Sequence, residues 1–207
     1  FSDQVYREVA GAYIEALEAR LKNNQPIDKI SSVASFFVSR VDAICEKKLD
    51  QISSSKNLSA AQRKEFEGKV GIANCKVAYA SFHELFDGAR FQPLKAKGAR
   101  VQRQLWASTG TKNPAFSPVL YVEELAGRDT VNTMPPQTLE ALLKQANIKP
   151  KLHDGLPGAC KLVADLNAWG VDFDAALVEL QTQGVELFAQ SYNSLVQSVE
   201  NKRKRFA

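Results

Sequence analysis

The stretch Val33-Ala34-Ser35-Phe36-Phe37-Val38-Ser39-Arg40 decides the fold. It is β-branched and aromatic and carries no charge until its last residue, which predicts a short buried strand. At its end a hydroxyl, Ser39, and a guanidinium, Arg40, arrive together. A second stretch has the same plan: Val101-Gln102-Arg103-Gln104-Leu105-Trp106-Ala107-Ser108-Thr109-Gly110-Thr111-Lys112. A strand-like run around Leu105 and Trp106 again ends in hydroxyls and a cation. Two strands that deliver such groups at their C-terminal ends predict one anion site on a parallel sheet.

Outward from these strands the chain alternates. Ser2 suits an N-cap, and Val5, Val9, Tyr13, Leu17 and Leu21 follow at spacing four, predicting an amphipathic helix to about Lys22. After the first strand (31–38), a helix from about Val41 to Leu49 turns Val41, Ile44, Cys45 and Leu49 inward. Ser53 to Ser59 reads as a turn. Ser59-Ala60-Ala61-Gln62 has the form of a capping box opening one long helix to about Phe86, locally weakened by Gly71. The second strand spans about 100–107. A short helix around Leu120 to Leu125 precedes a third strand, Thr130 to Met134, stopped by Pro135-Pro136. Those prolines suit the first turn of a helix carrying Leu139, Leu142 and Leu143. A helix around Ala159 to Trp169 follows. The last runs from an N-cap at Asp172 to about Lys204, through Phe173, Leu177, Leu180, Leu187, Phe188, Leu195 and Val199. This order predicts a parallel sheet with crossover helices. Three strands cannot close a barrel, which takes eight, and they leave two open edges. The expectation is therefore a small open α/β sheet or the back portion of a barrel. A start at Phe1 rather than Met suggests processing or a piece of a longer protein.

Composition narrows the function classes. The 207 residues suit one domain, at 44% hydrophobic and 24% charged. The net charge of +4 is partly local, since Lys202, Arg203, Lys204 and Arg205 adjoin. That run reads as a solvated helix tail rather than a nucleic-acid patch. Cys45, Cys75 and Cys160 are unpatterned, which suggests a reducing compartment with buried or inert thiols. With only His83 and His153 and no Cys/His cluster, neither a zinc site nor a histidine-based triad is expected. No stretch has the roughly 18 apolar residues of a membrane span, and no signal peptide is visible. A catalytic amine needs burial or a nearby cation to be partly neutral. The three strands contain no lysine, so no visible lysine is a good Schiff-base candidate.

Several motifs then fall in one recognisable order. SVASFFVSRVD, Ser32 to Asp42, resembles the sixth strand of the transaldolase family. LWASTGTKNP, Leu105 to Pro114, resembles its seventh strand and loop. YVEELAGRDTVNTMP, Tyr121 to Pro135, is similar to the following helix and eighth strand. GIANCKVAYASFHELF, Gly71 to Phe86, is similar to the bacterial subfamily with a longer sixth helix. The resemblance covers essentially the whole chain. It implies an α/β fold, a (β/α)8 TIM barrel of the class I aldolase type, of which this chain carries the last three strands and their helices. Residues 1–207 would be the C-terminal part of one barrel domain. Residues 172–205 would be a C-terminal helix packed across the barrel or its mouth.

The resemblance also implies an activity. Transaldolases are cytoplasmic transferases of the pentose phosphate pathway. They move a dihydroxyacetone unit reversibly from sedoheptulose 7-phosphate to glyceraldehyde 3-phosphate through a lysine Schiff base, with no metal or organic cofactor. The lysine and the acid/base carboxylates would lie upstream of residue 1, so this chain alone would be inactive. By motif position, Ser35 matches the serine facing the substrate, Phe37 the aromatic beside the Schiff base, and Arg40 the phosphate-binding arginine. Ser108 and Lys112 fall where the family completes the phosphate site, with lysine where many relatives have arginine. Trp106 either lines the pocket or packs in the core. Sugar phosphates are the expected partners, without nucleic acid or membrane, together with the missing N-terminal half or a second copy.

Simpler readings stand beside these. Arg40 could pair with Asp42, Ser108 and Thr109 could cap a helix, and Lys112 could be a solvated loop lysine. Asn132 has no assigned role, His83 belongs to a helix, and His153 to an exposed loop. Two other functions compete: a fructose 6-phosphate aldolase on the same barrel, or a non-catalytic sugar-phosphate-binding module.

Overall fold

The computed structural model of the chain describes residues 1–56, 58–145 and 147–206. Three strands, β1 (Ser32–Phe37), β2 (Gln102–Ala107) and β3 (Thr130–Asn132), form one parallel sheet in the order β1-β2-β3. The register sets Ser35 opposite Leu105, Phe36 opposite Trp106, and Trp106 opposite Asn132. The helices are α1 (Asp3–Lys22), α2 (Val38–Lys56), α3 (Ala60–Lys64), α4 (Val70–Phe86), α5 (Gln92–Ala96), α6 (Leu120–Glu124), α7 (Pro136–Gln145), α8 (Leu156–Ala168) and α9 (Phe173–Arg205).

Alternation along each strand divides the sheet into two unlike faces. Phe36 and Trp106 lie on one face, with ring centroids 5.8 Å apart, and Tyr6 of α1 packs on Phe36 at 5.5 Å. Gln104, fully buried beside them, donates its amide to the carbonyl of Ala78 in α4 at 2.7 Å. On the other face Val33, Ser35 and Arg103 are exposed. Parallel sheets are ordinarily covered on both faces, so the expected buried strand is covered on one side only.

Several expected boundaries move. On α1 the buried stripe is Tyr6, Ala10, Ile14 and Leu17, while Val9 is exposed. Helix α2 starts directly after β1 and continues through the expected Ser53–Ser59 turn to Lys56, with Ser53 bonding back to the Leu49 carbonyl. Asn57, in that turn, lies outside the described residues. The capping box at Ser59 forms as read, but it opens only the short α3. The single long helix is broken at Gly68, whose φ of +67° lies in the left-handed region.

A methyl at Gly68 would be strained by that φ and would meet the Phe116 ring at 3.0 Å. Gly68→Ala is expected to cost about 1–2 kcal/mol, read as a lower urea midpoint at unchanged m-value.

Helix α4 packs against α2 through Gly71, where a Cβ would approach the Val38 carbonyl oxygen to 2.5 Å. The glycine that weakens a local helix reading is therefore what allows this crossing. Lys69 supplies no side-chain cap to α4. Asp42 of α2 does so across the interface, its Oδ1 accepting from the Gly71 N–H at 2.7 Å. Helix α9 starts as expected, with Asp172 accepting from the Ala175 N–H. Its buried positions end at Gly184. Leu187, Phe188, Leu195 and Val199, apolar positions of the helix expected to pack across the barrel or its mouth, are more than half exposed. Among the described residues nothing covers that half of the helix. Leu139 and Leu143 of α7 are likewise exposed, and Thr138 is its buried residue.

Candidate functional site

The C-terminal edge of the sheet gathers the polar groups. With no loop between β1 and α2, Ser39 and Arg40 fall in the first turn of α2. Ser39 is buried and donates its N–H to the Ser108 carbonyl at 3.2 Å, tying the ends of β1 and β2 together. Ser108 adopts φ +54°, which turns the chain off the strand. Thr109, fully buried, then donates its hydroxyl to Asn132 Oδ1 at 2.9 Å and the Thr133 carbonyl at 2.8 Å. Asn132 thus gains a structural role that the sequence left open. Of the two hydroxyls after β2, Thr109 is a clamp between strands, not a helix cap.

Arg40 is half-buried, its guanidinium carbon 4.8 Å from the centre of the Phe37 ring, a cation–π contact that supports the planar group from below. It does not pair with Asp42. That carboxylate is buried and accepts from the Tyr121 hydroxyl at 2.6 Å as well as from Gly71. Burial is the main reason its pKa is pushed up to about 6. Arg40 and Lys112 line one cleft of about 360 Å³ with Ala43, Ile44 and Lys47 of α2 and Glu179, Leu180, Gln183, Gly184 and Leu187 of α9. Among the described residues neither Arg40 nor Lys112 takes part in an ion pair.

The structure does not bring every expected residue there. Ser35 is exposed on the open face of β1, lining a smaller hollow with Phe1, Val5 and Val33. Phe37 joins the two places, since its ring is 5.3 Å from Phe1 and lies against Arg40. Trp106 is not a pocket residue of this face. It is 1% exposed on the opposite face and donates its indole N–H to the Leu125 carbonyl at 3.1 Å. Ser108 lies past the end of β2, where the strand's alternation no longer assigns it a face.

Elsewhere, His83 and His153 meet with ring centres 5.2 Å apart, and Tyr79 lies between His153 and the Arg128 carbonyl. Cys45 and Cys75 are buried, the burial pushing the Cys45 thiol up to about 12, while Cys160 is exposed and unpaired. No described helix is long and apolar enough to cross a membrane.

Two unpaired cations from different strand ends in one cleft are suited to an oxyanion held by charge and forked hydrogen bonds. That arrangement gains a family through comparison with known proteins. The sequence model of the transaldolase/fructose-6-phosphate aldolase family matches residues 1–199. The chain belongs to that family. It is 42% identical over 204 residues to the transaldolase of Mycolicibacterium paratuberculosis, covering 98% of this chain and 53% of that protein. The transaldolase 2 of Nostoc punctiforme is 41% identical over 214 residues, covering 99% and 55%. The transaldolase of Mycobacterium tuberculosis is 44% identical over 199 residues, covering 95% and 52%. The chain spans about half the length of the curated transaldolases it matches.

Proposed function

We propose that the protein is a transaldolase, transferring a dihydroxyacetone unit between sedoheptulose 7-phosphate and glyceraldehyde 3-phosphate in the cytoplasmic pentose phosphate pathway. In this reading the chain contributes the last three strands of a (β/α)8 barrel and the rim that holds the substrate phosphate. The observation that carries it is the convergence of Arg40 and Lys112 on one cleft at the C-terminal edge of parallel strands. Barrel enzymes place their sites at that edge. The exposed face carrying Val33, Ser35 and Arg103 is the surface that a barrel interior would cover.

The division of labour follows from the side chains. Arg40 and Lys112 anchor the phosphate of a ketose. Ser35 and Phe37 lie on the strand between that anchor and the interior, where the carbonyl carbon would meet a lysine amine and form the Schiff base. Holding the far end of the substrate makes that attack effectively intramolecular. The lysine itself belongs to sequence outside these 207 residues. Strands β1, β2 and β3 hold no lysine, and among the lysines whose side chains the structure describes none is buried, whereas a Schiff-base amine needs burial or a nearby cation.

The test is borohydride reduction in the presence of fructose 6-phosphate, followed by intact mass. A longer protein carrying this sequence is expected to gain one reduced three-carbon dihydroxyacetone adduct, the phosphate leaving with glyceraldehyde 3-phosphate when the C3–C4 bond breaks, and the isolated 22.8 kDa chain none. No adduct on the longer protein would overturn the transaldolase reading. An adduct on the 22.8 kDa chain would overturn the placement of the lysine. Turnover that requires an aldehyde acceptor marks the transferase, and release of free dihydroxyacetone marks an aldolase.

A further inference from the structure

The anion cleft holds a cation that neither the strand ends nor the family motifs single out. Arg40, Ala43, Ile44 and Lys47 recur on α2 at the spacing of one helix face, and all four line the cleft. Lys47 is exposed, and helical side chains lean toward the N-terminus, which in α2 is the Arg40 end. The one carboxylate of the cleft, Glu179, is already engaged. Its Oε2 accepts from Lys48 at 2.8 Å and its Oε1 from the Gln183 amide at 3.0 Å. Lys48, with a smaller contribution from Lys47, holds this carboxyl below its usual range. Among the described residues Lys47 takes part in no ion pair. The cleft thus presents three cations against one carboxylate that is drawn aside.

We propose that Lys47 is a third phosphate-binding cation of this cleft, and that Lys48 keeps Glu179 from neutralising it. The proposal rests on the sugar-phosphate reading above and adds a residue to it. A phosphate monoester carries roughly −1.5 to −2 charges at neutral pH, a charge that three cations together can offset.

The experiment uses the whole enzyme, with fructose 6-phosphate as donor and inorganic phosphate as competing probe. Lys47→Gln is expected to raise both the KM for fructose 6-phosphate and the inhibition constant of inorganic phosphate about three- to five-fold, the range for a single exposed charge. The change falls on KM rather than kcat, and Lys47→Arg restores both constants. Arg40→Gln serves as the reference. If it raises both constants while Lys47→Gln leaves them unchanged, Lys47 is not part of the site. If neither variant moves them, the phosphate cleft itself has been misplaced. Loss of kcat without a change in KM, or no rescue by arginine, would mark Lys47 as structural and overturn the proposal.

Discussion

Asp42→Ala is expected to destabilise the fold by about 4 kcal/mol, because it strips the acceptor from two buried donors at once. The Gly71 N–H, in the first turn of α4, and the Tyr121 hydroxyl both end on this carboxylate, at 2.7 and 2.6 Å. Asp42→Asn keeps the shape and one acceptor and is expected to cost less than half as much. The two variants also separate on pH. Burial raises the Asp42 pKa to about 6, against the Gly71 and Tyr121 hydrogen bonds that pull it down, with the Glu46 charge adding to the rise. In the unfolded chain the group titrates near 3.9. The folded state therefore holds the proton more tightly. Its contribution is fully present below about pH 4 and is lost as pH rises through about 6. Urea midpoints of the parent chain should fall across that window, and those of Asp42→Asn should stay flatter. Parallel profiles for the two would show that Asp42 is not the group responsible.

Arg40→Gln is expected to raise the KM for fructose 6-phosphate about 30- to 100-fold. A bidentate guanidinium–phosphate pair contributes roughly 2–3 kcal/mol, and each 1.4 kcal/mol is tenfold. Arg40→Lys should recover only part of this, since an ammonium has the charge but not the planar fork. The Phe37 ring, 4.8 Å below the guanidinium, fixes that fork, and a lysine would use it less well. Steady-state kinetics on phosphorylated and unphosphorylated ketoses check the assignment. A loss that is equal on both would show that Arg40 supports the fold and not the phosphate.

The parts legible in the sequence were those with a local cause. Strand β1 stands out because six uncharged residues, two of them aromatic, precede a basic end. The cap at Ser2, the cap at Asp172 and the capping box at Ser59 are each decided within four residues and form as read. What lay further along was misjudged for physical reasons. A left-handed Gly68 ends what looks like one continuous helix. The short α5 has too few residues to show a period. Trp106 could be assigned to either face by composition, and only its indole bond to Leu125 decides.

By itself, then, the sequence determined three parallel-compatible strands, the helices between them, and the delivery of Arg40 and Lys112 to strand ends. Its family motifs pointed to the same edge of the sheet. Only the tertiary structure decided that Asp42 serves Gly71 and Tyr121 rather than Arg40, that Thr109 clamps Asn132, and that Lys48 pairs with Glu179. These partners are 23 to 131 residues apart. No local pattern encodes them, because which donor a buried carboxylate meets is set by how helices and strands pack and not by the residues beside it.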